Sequence, residues 1–274
     1  RGLGRALLER RPDALDRVQV DGAPSEMLPM VDALNALFQR IETLLESERR
    51  FTADAAHELR SPLTALRLQA QTLRRTHLGS DEASRDLAVQ RLNQGIDRAI
   101  ALVEQMLVLA RQEAQGSQAH AATPVDLQAL VRDGITAVLP QAQARGIDLG
   151  LLEGDAVEVQ GSPDGLHILL RNLLDNAIKY TPEHGQVDVE LKRDGTVPVL
   201  AVDDSGPGLD EEGRARAFDR FYRAVDVSAS GSGLGLAIVK AIADQHGATV
   251  LLLPSSRLGG LRVEVRFAAQ QTAL

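Results

Sequence analysis

The chain has 274 residues, 44% of them hydrophobic, which is enough for one to two folded domains. It contains no cysteine, which excludes disulfides and thiolate metal sites and suits a reducing compartment. Its formal net charge of −8 argues against nucleic acid as the main partner, because phosphate backbones are bound by basic surfaces, and reads chiefly as solubility.

From the N-terminus to about Glu48 the pattern predicts a short helical start (Leu3, Leu7, Leu8), a connector rich in Pro, Asp and Gly, and a second helix beginning near Ser25. Met30, Leu34, Leu37, Ile41 and Leu44 recur at fours and threes, the seam of a coiled coil. No helix breaker lies between Glu48 and Phe51, so this helix is expected to run into the next and to pass upstream motion on as rotation or tilt. No stretch reaches the ~18–20 apolar residues of a membrane span; the best, Ala99 to Ala110, is interrupted by Glu104 and Gln105. The sequence opens at Arg1, inside a helical pattern and without methionine or signal peptide, so a soluble piece of a longer membrane receptor is expected.

Phe51 to Leu68 (FTADAAHELRSPLTALRL) is the most informative stretch. Leu59, Leu63, Leu66, Ala70 and Leu73 form an apolar seam, and His57 lies two residues from Leu59, about 200° of helical rotation. Its ring is therefore expected to face solvent, with Ser61, Thr64 and Leu68 on the same side. Glu58 follows directly, and Pro62 removes the N–H that the Glu58 carbonyl would bond, bending the helix beside the histidine. A local rule broken without structural benefit tends to mark function. After a polar loop at His77 to Glu82, a second seam runs through Val89, Leu92, Ile96, Ala99, Val103, Met106 and Ala110. One such hairpin cannot bury both seams, so the expectation is a homodimer forming an antiparallel four-helix bundle.

Gln112 to Thr123 is small and polar and reads as a linker. Beyond Pro124, helices are predicted at Leu127–Arg145, Pro163–Tyr180 and Leu234–Gln245, with strands near Ile147–Leu152, Val187–Lys192, Val197–Asp203, Thr249–Pro254 and Gly260–Phe267. Helices gathered on one face of a mixed sheet account for that order, an α+β sandwich. Asn172, Asn176 and Lys179 share one face of their helix at i, i+4 and i+7, opposite Leu169, Leu170, Leu173, Leu174 and Ala177; two carboxamides and an ammonium suit a triphosphate with Mg²⁺, a hard ion that prefers oxygen. Asp203-Asp204-Ser205-Gly206-Pro207-Gly208 ends the apolar strand VPVLAV, where a carboxylate can accept the exocyclic amine of adenine.

Gly231-Ser232-Gly233-Leu234-Gly235-Leu236 opens an apolar helix whose first N–H groups favour phosphate. It is no Rossmann fingerprint, since its third glycine comes one position early and the polar segment Ala224 to Ser230 precedes it instead of a strand; the Gly-Lys-Ser/Thr of a P-loop is absent. Arg220 and Arg223, within Phe218-Asp219-Arg220-Phe221-Tyr222-Arg223, can reach a γ-phosphate or hold a lid, because guanidinium forks match phosphate oxygens. His77, His120, His167, His184 and His246 lack metal-ligand spacing or acidic company and are read as structural or solvated.

His57-Glu58-Leu59-Arg60-Ser61-Pro62-Leu63 resembles the H-box of two-component sensor histidine kinases, with flanks most similar to the QseC/TctE-like subgroup, and the likeness covers most of the chain. Residues up to Glu48 look like the end of a HAMP linker, entered at Pro24-Ser25-Glu26. NLLDNAIKYT resembles the N-box; Asp204, Gly206 and Gly208 resemble the G1 box; Gly231, Gly233, Leu234 and Gly235 resemble the G2 box; and Phe218 to Arg223 resembles the F-box, which docks the lid. In this order they look like the Bergerat ATP-binding fold of the GHKL type. The resemblance implies a multidomain chain: partial HAMP linker and signalling helix over 1–48, dimerisation and histidine phosphotransfer over 49–115, a linker over 116–123 and a catalytic ATP-binding domain over 124–274.

It also implies roles. His57 takes the γ-phosphoryl group of ATP and passes it to an aspartate in the receiver domain of a response regulator, and Glu58 holds or accepts the proton of the other ring nitrogen. Asn176 is the magnesium ligand, Asn172, Lys179 and Tyr180 lie near phosphate or base, and Asp204 reads adenine. Ser61 stands where related kinases more often carry threonine; it could orient a water that hydrolyses the regulator's aspartyl phosphate, so phosphatase activity is expected to rank below kinase activity. The chain would then be the cytoplasmic portion of a bacterial inner-membrane protein. The rivals are an ATPase of the same nucleotide fold that never phosphorylates histidine, and a non-catalytic dimeric signalling scaffold.

Overall fold

The computed structural model describes residues 27–76, 82–115, 123–152, 154–223 and 232–269. The chain divides into two compact units, Arg1–Leu92 and Asn93–Leu274. In the first, α1 (Leu28–Thr76) is a single helix of 49 residues that runs through Pro62, as the unbroken phase at Phe51 predicts. The predicted helical start at Leu3 to Leu8, its connector, Pro24-Ser25-Glu26 and the heart of the polar loop after Thr76 lie outside the described residues. The second long helix, α2 (Glu82–Gln115), spans the division between the units.

All three predicted seams are turned by one residue at alternate positions. On α1, Val31 is buried against Met27, Leu34 and Phe38, while Met30 and Leu37 are exposed. Further along, Ala55, Leu59, Pro62, Leu66, Gln69 and Leu73 are half-buried, and the predicted seam members Leu63 and Ala70 are exposed. On α2 the inward set is Ala88, Leu92, Gly95, Ala99, Leu102, Met106 and Leu109, whereas Val89, Ile96 and Val103 stand out. The cause is a choice between neighbouring residues. Where adjacent positions can each extend the stripe, a period of 3.6 fits a step of three or four equally well, so spacing alone does not choose between them. On α2 the small Ala88 and Gly95 turn inward in place of Val89 and Ile96, while Ala99 is inward as predicted.

The second unit is built on a five-stranded sheet. After β1 (Thr123–Asp126) comes α3 (Leu127–Ala144), capped by the Asp126 side chain, which accepts from the N–H groups of Gln128 and Ala129. Next are β2 (Asp148–Leu151), β3 (Glu158–Gly161) and α4 (Pro163–Tyr180), the last with Ser162 as N-cap and proline in its first turn. Then follow β4 (Gln186–Asp194), β5 (Val197–Asp204), the short α5 (Glu211–Arg216), α6 (Gly235–Gln245), β6 (Thr249–Pro254) and β7 (Leu261–Arg266). The strand order is β2-β4-β5-β7-β6, with β2 parallel to β4 and the other pairs antiparallel. The predicted helices and sheet strands are all present, within a residue or two at their ends. The two-stranded β1–β3 ribbon and α5 were not anticipated.

Alternation along the strands sorts the two faces. Val187, Val189, Leu191, Leu200, Val202, Val263 and Val265 are buried on the helix side with Leu166, Leu169, Leu170, Leu173 and Leu174 of α4 and Ile238 and Ile242 of α6. The opposite side carries charge: Asp188, Glu190 and Lys192 on β4, Asp203 on β5, and Arg262, Glu264 and Arg266 on β7.

Two side chains fix the helices that border the site. Arg145, just past α3, donates through Nη1 to the carbonyls of Ile178 and Lys179 and through Nη2 to that of Thr181 at 2.8 Å, closing the C-terminus of α4. At the other end His246 accepts at Nε2 from the Ser162 N–H at 3.0 Å and donates from Nδ1 to the Ile242 carbonyl at 2.7 Å, tying the last turn of α6 to the first of α4.

Candidate functional site

In the first unit, His57 is exposed on α1, as are Ser61, Thr64 and Leu68, the face that helical spacing assigns to it. Glu58 is half-buried, and Pro62 turns inward beside it. The Thr64 hydroxyl donates back to the Arg60 carbonyl at 2.8 Å. The ring of His57 and the hydroxyl of Ser61, one turn apart, are the polar groups this face offers to solvent for chemistry.

The second unit holds an open cavity between its helices and the end of its sheet. One wall is the middle and end of α4, with Leu173, Asn176, Ala177 and Tyr180; the other is the end of β5 and start of β7, with Val202, Asp204, Leu261 and Val263. Pro207, Gly208, Leu209 and Ala217 close one side, and Tyr222, Arg223 and Leu236 the other. The mostly apolar walls suit the flat faces of a purine.

Asp204 is the polar feature of the inner wall. Its Oδ1 accepts from the N–H of Gly206 at 2.8 Å and of Leu261 at 3.1 Å, while Oδ2 has no bonding partner among the described residues and is left for the cavity. Burial pushes its carboxyl above the usual aspartate range, the two N–H bonds pull it back, and the neighbouring charge of Asp203 pushes it up again. Gly260 makes this arrangement possible: a Cβ there would lie 2.3 Å from the Asp204 carbonyl oxygen and 2.4 Å from Oδ1.

Asn176 faces the start of α6 so closely that a Cβ on Gly235 would meet its Nδ2 at 2.7 Å. Its carboxamide makes no hydrogen bond among the described residues, which leaves its oxygen for a ligand. Asn172 is different: its Nδ2 donates to the Ile168 carbonyl at 2.8 Å, so it is engaged with its own helix and does not line the cavity. Lys179 donates to the Tyr180 hydroxyl at 3.0 Å and sits 4.4 Å from that ring's centre, reaching the cavity only through Tyr180. Gly206 acts through its N–H to Asp204, and Gly208 lines the wall.

The N-terminus of α6 has no side-chain cap at Leu234, so its first N–H groups remain available to an anion. Gly233 adopts φ of 71° and lies against the backbone of Phe221, whose N–H donates to its carbonyl at 3.0 Å. Phe221 itself has φ of 61°, strained for an aromatic residue and held by this contact. Ser232 donates to Gln105 of α2 at 2.6 Å and accepts from the Leu234 N–H at 3.3 Å. Arg223 lines the cavity and Arg220 does not; Arg216, not foreseen, stacks over the Tyr222 ring at 4.6 Å. Gly231 and the segment from Ala224 to Ser230 lie outside the described residues. Gly260 and Leu261 were also not singled out in the sequence; their only signal there is a paired glycine before an alternating strand.

Comparison with known proteins bears on both units. A family model described as His Kinase A (phospho-acceptor) domain matches residues 47–115, one described as histidine kinase-, DNA gyrase B-, and HSP90-like ATPase matches 161–271, and a PhoQ-like sensor HAMP model matches 1–43. The chain is 42% identical over 266 residues to the sensor protein QseC of Salmonella typhi, covering 97% of this chain and 58% of that protein. It is 34% identical over 273 residues to the sensor protein BasS of Escherichia coli (strain K12), covering 98% of this chain and 72% of that one. The chain thus spans little more than half the length of the QseC relatives it matches. Full-length ShkA in complex with AMPPNP matches 81% of this chain and 47% of its own at a TM-score of 0.56 and 27% identity. The Acinetobacter baumannii histidine kinase AdeS shares the fold over 78% of this chain and 98% of its own, at a TM-score of 0.63 and 23% identity. With an exposed imidazole on a long helix, an open cavity walled by Asn176 and Asp204 in the following α/β unit, and relatives alike over nearly the whole sequence, the chain belongs to the sensor histidine kinase family of two-component signalling.

Proposed function

We propose that this chain is the dimeric kinase core of a membrane sensor: it phosphorylates His57 from ATP and passes the phosphoryl group to an aspartate of a response regulator. The observation that carries this reading is the presence in one chain of a solvent-facing imidazole at position 57 and a cavity walled by Asn176 and Asp204. Adenine lies between the apolar walls with its exocyclic amine donating to the free oxygen of Asp204. The triphosphate runs toward the open N-terminus of α6, where backbone N–H groups and Arg223 oppose its charge. Asn176, whose carboxamide faces the start of α6 and makes no hydrogen bond among the described residues, would hold a Mg²⁺ ion through its amide oxygen, since this hard cation prefers oxygen ligands. Bound there, the ion would neutralise phosphate charge.

At the other reacting centre a lone pair of His57 forms the new N–P bond as the bond from the γ-phosphorus to the bridging oxygen breaks and ADP leaves. Glu58 takes or holds the proton of the second ring nitrogen. The work of the protein is positioning and charge neutralisation. Ser61, one turn away and exposed, would orient water against the regulator's aspartyl phosphate as a weaker phosphatase activity. No helix among the described residues is long and apolar enough to cross a membrane; the membrane anchor is assigned to the part of the relatives that this chain does not span.

Incubation with ATP labelled on the γ-phosphate tests the proposal. Wild type is expected to take up label that is stable in base and lost in acid, and His57→Gln and Asn176→Ala to take up essentially none. Label that survives acid, or that persists in His57→Gln, rules the proposal out.

A further inference from the structure

The strand end that carries Asp204 is also gripped from the side away from the cavity. Successive strand residues point to opposite faces, so Asp203 lies behind Asp204 on the charged face of the sheet, and it is only 1% exposed. Its Oδ1 accepts from the Ser255 hydroxyl at 2.7 Å, and its Oδ2 pairs with Nη1 of Arg262. The remaining nitrogens of that guanidinium are also used: Nε donates to Glu264 at 2.8 Å and Nη2 pairs with Glu190. Burial works against the charge of Arg262, but these hydrogen bonds and the nearby Asp203 outweigh it and hold the guanidinium firmly protonated. Two adjacent residues of β7 thus clasp two adjacent residues of β5. The Leu261 N–H holds Oδ1 of Asp204 inside the cavity, and the Arg262 side chain holds Asp203 behind it.

We propose that Arg262, acting through Asp203, is a positioning residue for base selection, fixing the end of β5 so that the free oxygen of Asp204 meets the exocyclic amine of adenine. The inference rests on the reading of Asp204 as the base reader. Without Arg262 the buried carboxylate of Asp203 has only the Ser255 hydroxyl to answer it, and its charge acts on Asp204 unopposed. The clasp at Leu261 then loosens and the acceptor is displaced or protonated. The triphosphate contacts, on Asn176 and the start of α6, lie on other elements and keep their geometry. The loss therefore falls on the amine contact alone, whereas a merely structural role for Arg262 would weaken every nucleotide alike.

The test compares the full chain's affinity, in the presence of Mg²⁺, for ATP and for purine riboside triphosphate, which is ATP without the exocyclic amine. Wild type is expected to prefer ATP by about tenfold or more. In Arg262→Gln that ratio is expected to fall to about one, through loss of ATP affinity, with the analogue's affinity held within about twofold. Should Arg262→Gln fail to fold, Arg262→Lys decides: it keeps a positive charge behind Asp203 but cannot hold Asp203, Glu190 and Glu264 together, and it is expected to lower the ratio by about threefold while the analogue's affinity stays within about twofold. A wild-type ratio near one defeats the reading of Asp204 itself. A wild-type preference that persists in the folded variants, or an equal loss for both nucleotides, overturns the role of Arg262 and leaves Asp204 standing.

Discussion

Asp204 must present a charged acceptor from a wall that is largely dry, and the two demands conflict. Burial raises its carboxyl, and the N–H groups of Leu261 and Gly206 offset that only in part. Because only the ionised form accepts fully, ATP affinity is expected to be level at alkaline pH and to fall as pH drops through the raised value, by up to about tenfold per unit below it. Calorimetric titration carried downward from neutral pH into the carboxylate range would show the slope setting in above the ordinary aspartate range; affinity that stays level throughout would contradict the assignment. Gly260→Ala drives a methyl into the Asp204 carbonyl and Oδ1, so ATP binding is expected to drop by more than about tenfold while helix content is retained, as read by calorimetry and circular dichroism. Asp204 was legible because an acid followed by two glycines ends an apolar strand. Its holders were not: Leu261 stands 57 positions away, and RVEVR announces a strand without naming its neighbour. The placing of Asn172 shows what spacing leaves open. Helical spacing gives the face but not the depth, and one turn from Asn176 the amide bonds its own backbone.

The elements were mostly legible because their signals are local. Ser162 with Pro163 marks a helix start, Asp126 marks another, and alternating charge in DVELK and RVEVR marks strands with one charged face. The β1–β3 ribbon escaped because each strand has four residues and pairs only with the other. Also silent in the sequence is the closure of α4, where one guanidinium serves three carbonyls next to Lys179 and Tyr180. Arg145→Ala is expected to cost about 2 kcal/mol of stability, read as a lower melting temperature of this unit. Arg145→Lys should rescue little, since an ammonium cannot span the same acceptors.

For the whole molecule, the seam residues that a single chain leaves exposed are informative. Ile96, Ile100, Val103 and Leu107 recur at four, three and four along α2, each at least 40% exposed, on a stripe beside the inward one. Such a row is expected to be covered by a second copy in the proposed bundle. Val103→Glu should therefore weaken dimerisation by about tenfold or more without unfolding the nucleotide unit, as sedimentation and nucleotide binding would show together. Periodicity could find that helix surface but could not divide it between a chain's own partner and another's. A different consequence follows from the imidazole of His246. It joins α4 and α6 at the ends far from Asn176 and Gly235, so the two helices resemble the arms of tongs riveted at the back. A phosphate drawn toward the tip of one arm is therefore expected to act on the end that this bond leaves untied.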